Sequence, residues 1–226
     1  MKQSRCHRPA RPLARTSVAV RALLIQVLFA TLLAGPATAE TRRWVPVAGK
    51  SHVSFEATFP FGDFSGHTQD VGGEFRLDPS DLRQPVSGLL RVNSAALRTG
   101  VDGRDRDMWK ALDVKRYPEI RFVLQGVEPS FPSVSDRADV LVTIRGGLLI
   151  RGVERSVTFA SRARLRDARL WVRGQAMAKM SEFGITPPRR FFFAVGDAVT
   201  ASFDVLLAPA DRPVATRSRG PVAGRA

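Results

Sequence analysis

From Trp44 onward the apolar positions recur every second residue. Val53, Phe55 and Ala57 alternate with His52, Ser54, Glu56 and Thr58; Ile120, Phe122 and Leu124 alternate with Arg121, Val123 and Gln125. The same period runs through Val157, Phe159, Ala163 and Leu165, and through Val199, Ala201, Phe203, Val205 and Leu207. A period of two with one wet face predicts half-buried antiparallel strands. Further strands are expected near Gly73–Leu77, Val86–Leu97, Asp139–Ile150 and Arg169–Met180, with turn residues at 78–81, 129–136, 166–168 and 186–188. One stretch breaks the pattern. Between Asp102 and Leu112 the spacing turns helical, with Met108, Trp109 and Leu112 on one side and Asp102, Gly103 and Asp105 near the N-terminal end. Pro118 then opens the next strand, where a missing N–H is least harmful. Eight or so strands and one helix describe a single, mainly β domain whose sheet curls and closes to remove its edges. The short helix is expected to cover an open end.

The strands start late because the first 39 residues have another character. Six cations and no acid precede a largely apolar run, Ala22 to Ala34, followed by Ala37-Thr38-Ala39. A basic start, a short apolar stretch and an A-x-A site predict a secretory signal peptide over 1–39, cleaved after Ala39. An apolar stretch of 13 residues is too short to span a bilayer, which takes about 20. The expected location is therefore the periplasm of a Gram-negative host. The only cysteine, Cys6, falls in this leader, so the mature chain forms no disulfide and relies on core burial. The predicted organisation is a leader, a β-barrel domain over 40–208 and a disordered basic tail over 209–226.

Charge changes the picture less than its total suggests. The chain carries +14, but the leader accounts for +6 and the tail for +3, leaving about +5 on 40–208. A nucleic-acid binder shows its basic stripe on the fold, so no nucleic-acid partner is expected. Contact with a membrane is expected to be peripheral at most, and a homodimer is admitted.

Catalysis finds little support. The mature chain has His52 on an outer strand face and His67 in a Gly-rich turn near Asp63 and Asp70. No dense ligand cluster appears, so neither a metal nor another cofactor is expected. The Arg104-Asp105-Arg106-Asp107 run is the pattern of a solvated, salt-linked helix face. No enzyme is predicted. The inward residues say more: Ala57, Ala163, Ala176, Ala178 and Ala201 stand beside Phe55, Phe122, Phe159 and Phe203. An eight-stranded barrel is either filled by such side chains or holds one ligand, and composition does not separate the two. Three consecutive aromatics at Phe191-Phe192-Phe193 cannot all face inward.

The motifs, taken in order, resemble the YceI family of exported bacterial proteins, described as binding lipids or polyisoprenoids. The resemblance spans Trp44 to Leu207. It rests on Ser51-x-Val53-x-Phe55, Gly66, Val71-x-Gly73-x-Phe75, Asp78, Asn93-Ser94 with Leu97, Thr99-Gly100 and Arg106-Asp107. It continues through Tyr117-Pro118-x-Ile120-x-Phe122, Gly147-x-Leu149, Gly152-Val153-x-Arg155-x-Val157, Phe183-Gly184-Ile185 and Val195-Gly196-Asp197-x-Val199. The chain departs from the family pattern at Lys50, Thr58, Phe59, Thr68 and Ser156. The resemblance implies an extended antiparallel eight-stranded lipocalin-like β-barrel enclosing a polyisoprenoid, a quinone-like compound or another fatty amphiphile. The expected apolar cavity residues are Phe55, Leu90, Val92, Ile120, Phe122, Val142, Ile144, Phe159, Met177, Phe183, Phe203 and Val205. Arg104, Arg106 and Arg189 are the head-group candidates. The alternative is a filled barrel that acts in stress protection or interaction through its surface and basic tail.

Overall fold

The computed structural model describes residues 41–190 and 193–210. The predicted leader, the tail beyond residue 210 and Phe191-Phe192 lie outside the described residues, as do the side chains of Arg190 and Phe193. The strands are β1 (Arg42–Pro46), β2 (His52–Ala57), β3 (Phe64–Thr68), β4 (Val71–Leu77), β5 (Ser87–Asn93), β6 (Glu119–Pro129), β7 (Val140–Ile150), β8 (Val153–Arg166) and β9 (Arg169–Lys179). A two-residue pair, β10 (Arg189–Arg190) and β11 (Phe193–Ala194), precedes β12 (Ala198–Pro209). The helix α1 (Asp102–Leu112) lies between β5 and β6.

All pairings are antiparallel, and the sheet closes on itself as an eight-stranded barrel. β1 and β2 lie end to end along β12, with Trp44 opposite Pro209 and Phe55 opposite Ala201. β4 and β3 lie end to end against them. The break between β1 and β2 is bridged by Ser51: its hydroxyl donates to the Leu206 carbonyl at 3.3 Å and accepts from the Leu206 N–H at 3.2 Å. That side chain replaces the missing ladder bond, and for that reason a serine can be buried there.

Two expected boundaries moved. β5 stops at Asn93, not Leu97, because the Asn93 side chain accepts from the Ala95 N–H at 3.0 Å and caps a 3-10 turn at Ser94–Ala96. His67 is on strand β3, not in a turn. The Gly and Asp residues around it disguised a strand whose pairing comes from β2 and from a bridge to Arg98.

The β7–β8 and β8–β9 connections are two-residue hairpin turns. Arg151 and Gly152 have φ of 51° and 78°, and Asp167 and Ala168 have φ of 51° and 55°. Positive φ at both central residues matches the strand twist but suits Asn-Gly or Asp-Gly. Alanine at the second position is strained. Ala168→Gly is expected to stabilise the protein by about 1 kcal/mol, read as a higher urea midpoint at unchanged slope.

One end of the barrel is closed by buried side chains. Trp44, Leu77, Leu82, Val134, Val140, Leu170 and Leu207 belong there to one buried cluster, and Leu77, Leu82, Leu170 and Leu207 also line the cavity above. The loops outside are tied together: the Leu82 N–H donates to the Pro132 carbonyl at 2.7 Å and the Val134 N–H to the Pro79 carbonyl at 2.8 Å. The other end carries α1, a 3-10 turn at Met180–Phe183 and the β10–β11 pair.

Candidate ligand cavity

Above the closed end the barrel is hollow. A cavity of about 390 Å³ runs up to the α1 end, lined almost wholly by apolar side chains. That falls within the usual range for small-molecule sites, roughly 300–1,000 Å³. Phe55, Leu90, Val92, Ile120, Phe122, Val142, Ile144, Phe159, Phe183, Phe203 and Val205 all line it. The interior is open, the feature that the filled-barrel alternative lacks.

Met177 is a correction. It is 75% exposed and points outward from β9, because its neighbours Ala176 and Ala178 share the opposite face. With a strict period of two, Met177 cannot point inward with them. Arg106 is a second correction: it is exposed on α1 and absent from the cavity wall, whereas Arg104 and Arg189 are part of it. Lys179, at the end of β9, joins them together with Asp107. The sequence signal for Lys179 was its place as the last residue of a strand at the helix-bearing end.

The hollow survives because several phenylalanine rings lie against glycines. Phe55 faces Gly66, Phe75 faces Gly88 and Phe203 faces Gly174 across adjacent strands. In each case a Cβ on the glycine would overlap the ring. Phe122 lies over Gly146 in the same way. Such pairs let an aromatic ring cover bare backbone along the wall, and Ala57, Ala163 and Ala201 add little bulk beside them. Phe122, Phe159 and Phe203 meet edge to face, with centroids 5.4 and 5.2 Å apart. This brace fixes the rings in place.

At the upper end the wall includes exposed residues, Gly62, Asp107, Lys179 and Arg189, so the cavity reaches solvent there. Helix α1 lays Met108, Ala111 and Leu112 over it. Trp109, expected on that same side, turns away: its indole N–H donates to the Leu97 carbonyl at 3.1 Å, and the Arg98 guanidinium stacks 4.4 Å from its ring centre. The buried Asp105 carboxylate holds the helix N-terminus by accepting from the Thr99 N–H and hydroxyl, each at 2.6 Å. Arg104 lies 4.4 Å over the Phe64 ring. Asp105 therefore has a structural task. Across the mouth, Asp197 holds the Met180–Phe183 turn by accepting from the Ser181 N–H at 2.8 Å and hydroxyl at 2.6 Å.

Both carboxyls titrate below the usual aspartate value. Burial pushes Asp105 up, but the Thr99 bonds and the nearby Arg98 and Arg104 outweigh it. For Asp197 the Ser181 bonds dominate. A pKa lowered by folding gives stability that is present above the unfolded value, 3.8, and lost as pH falls through the folded value. The melting temperature is thus expected to hold down to about pH 4 and then drop. Asp105→Asn should flatten that drop while lowering the plateau.

A closed up-and-down barrel with an apolar lumen, one end closed by buried side chains and a charged mouth is a lipocalin-like architecture. Residues 44–207 match the family profile described as the YceI-like domain, and the chain belongs to that family. Among solved structures it is similar to BcnA of Burkholderia cenocepacia, with a TM-score of 0.61 and 20% identity over 72% of this chain and 99% of that one. A polyisoprenoid binding domain from Saccharophagus degradans, implicated in plant cell wall breakdown, aligns with a TM-score of 0.56 and 13% identity over 75% and 99% of the two chains. A YceI protein of Campylobacter jejuni gives 0.50 and 15% over 62% and 82%. A search of the curated proteins finds no match.

Proposed function

We propose that this protein is a periplasmic carrier or store that sequesters one polyisoprenoid, quinone-like or fatty amphiphile in its lumen, by burial and without chemistry. The observation that carries this reading is the apolar cavity of about 390 Å³, sealed at one end and fringed by Arg104, Lys179 and Arg189 at the other. The family and the polyisoprenoid binding relative support it, and the leader pattern over 1–39 supports export. The chain is held by area, the head by charge: micromolar binding needs about 8 kcal/mol, and each buried methylene supplies about 0.8 kcal/mol. Ten methylenes reach that figure before the costs of association are subtracted, and a longer tail leaves a margin.

A length series tests the reading. Prenyl alcohols of increasing length should displace a fluorescent apolar probe with steeply rising affinity, then plateau once the lumen is full. A flat series would contradict burial as the driving force.

A further inference from the structure

Below the mouth, where Lys179 joins the cavity rim, the outward positions of β9 read Arg169, Trp171, Arg173, Gln175 and Met177, and all are exposed. Trp171 is 39% and Met177 75% accessible, so an indole and a thioether stand in solvent among these cations. On β8 the facing outward positions are Arg162, opposite Arg173, and Arg164, opposite Trp171; Leu141 on β7, 57% exposed, stands opposite Arg162. The β8–β9 hairpin holds seven cations against two acids, a +5 that equals the whole excess of residues 40–208.

The acids facing this wall leave it positive. Asp139 is paired with Arg164 at 2.6 Å, Asp204 accepts from the Trp171 indole, and Asp167 in the turn is 3.9 Å from Arg166. Arg173 lies 5.5 Å over the Trp171 ring, and Arg162 and Arg169 carry no ion pair among the described residues. Cations interleaved with an indole, a thioether and a leucine match a boundary that is anionic outside and hydrocarbon within. A purely hydrophilic polyanion would leave those apolar groups without a counterpart.

We propose that the outer wall of the β8–β9 hairpin docks the barrel side-on onto the anionic surface of a lipid bilayer. The cations contact phosphates, each adding to a surface attraction that salt weakens, while Trp171 and Met177 settle at the level of the head groups. This rests on the carrier reading above, because a protein that loads a membrane lipid has to meet the membrane.

The test is co-sedimentation of the purified processed protein with phosphatidylcholine vesicles, with and without phosphatidylglycerol, at low and high salt. Binding is expected only to the anionic vesicles and only at low salt. Arg162→Gln/Arg169→Gln/Arg173→Gln, with the basic tail retained, should weaken it at least about tenfold at unchanged melting temperature. No binding by the wild type, equal binding to neutral vesicles, or a triple variant that binds normally would overturn the proposal. Extracting lipid from both proteins separates the two readings: the triple variant should still carry its cargo, and docking by a protein without cargo would remove the carrier reading alone.

Discussion

Ala201→Trp should emerge from purification with its bound lipid reduced at least tenfold and its melting temperature unchanged or raised. Ala201 lies on the inner wall of β12 between Phe55 and Ala176, facing the cavity. An indole there has an open space of about 390 Å³ to enter. Enlarging a side chain in a packed core forces off-rotamer neighbours and costs roughly 1–3 kcal/mol. In a hollow barrel the same change buries new apolar surface and removes room for a ligand. Cargo and stability therefore move in opposite directions, and a packed interior would reverse the sign of the second. Extracted lipid measured beside a thermal melt reads both.

Gly73→Ala should destabilise the protein by about 2–4 kcal/mol, combining backbone strain with steric overlap. Gly73 has a φ of 144°, a region nearly closed to residues with a side chain. A Cβ would also strike the Leu89 carbonyl on the paired strand, where the backbone cannot swing aside. Gly72 is the control, since an added methyl there meets open space, and Gly72→Ala should change stability little. A urea titration of both variants checks this, and equal midpoints would contradict the strain argument.

The alternation of apolar residues was enough to place β6, β7, β8, β9 and β12, and for β6, β8 and β12 to say which face turns inward, because long strands with one dry side write their period into the chain. The interrupted strands were harder. β3 is short, and its Phe64-Ser65-Gly66-His67-Thr68 carries no alternation that separates it from a turn; its strand character comes from its partners. The cavity was half legible. Inward alanines and phenylalanines name the wall, yet whether rings fill the centre depends on their lying against glycines of the neighbouring strands, a pairing that register alone decides. Met177 shows the limit from the other side: a greasy residue invites an inward reading, while the parity fixed by Ala176 and Ala178 sends it out. Trp109 was misplaced for a related reason, since helical spacing gives a face but not the Leu97 carbonyl and Arg98 guanidinium that claim the indole.

Native mass spectrometry of the protein exported by its own host tests the hollow-barrel account most directly. One molecule of an apolar-tailed amphiphile per chain, released on unfolding and strongly reduced in Ala201→Trp, is the expected spectrum. A bare polypeptide mass, unchanged after incubation with long prenyl alcohols, would contradict it.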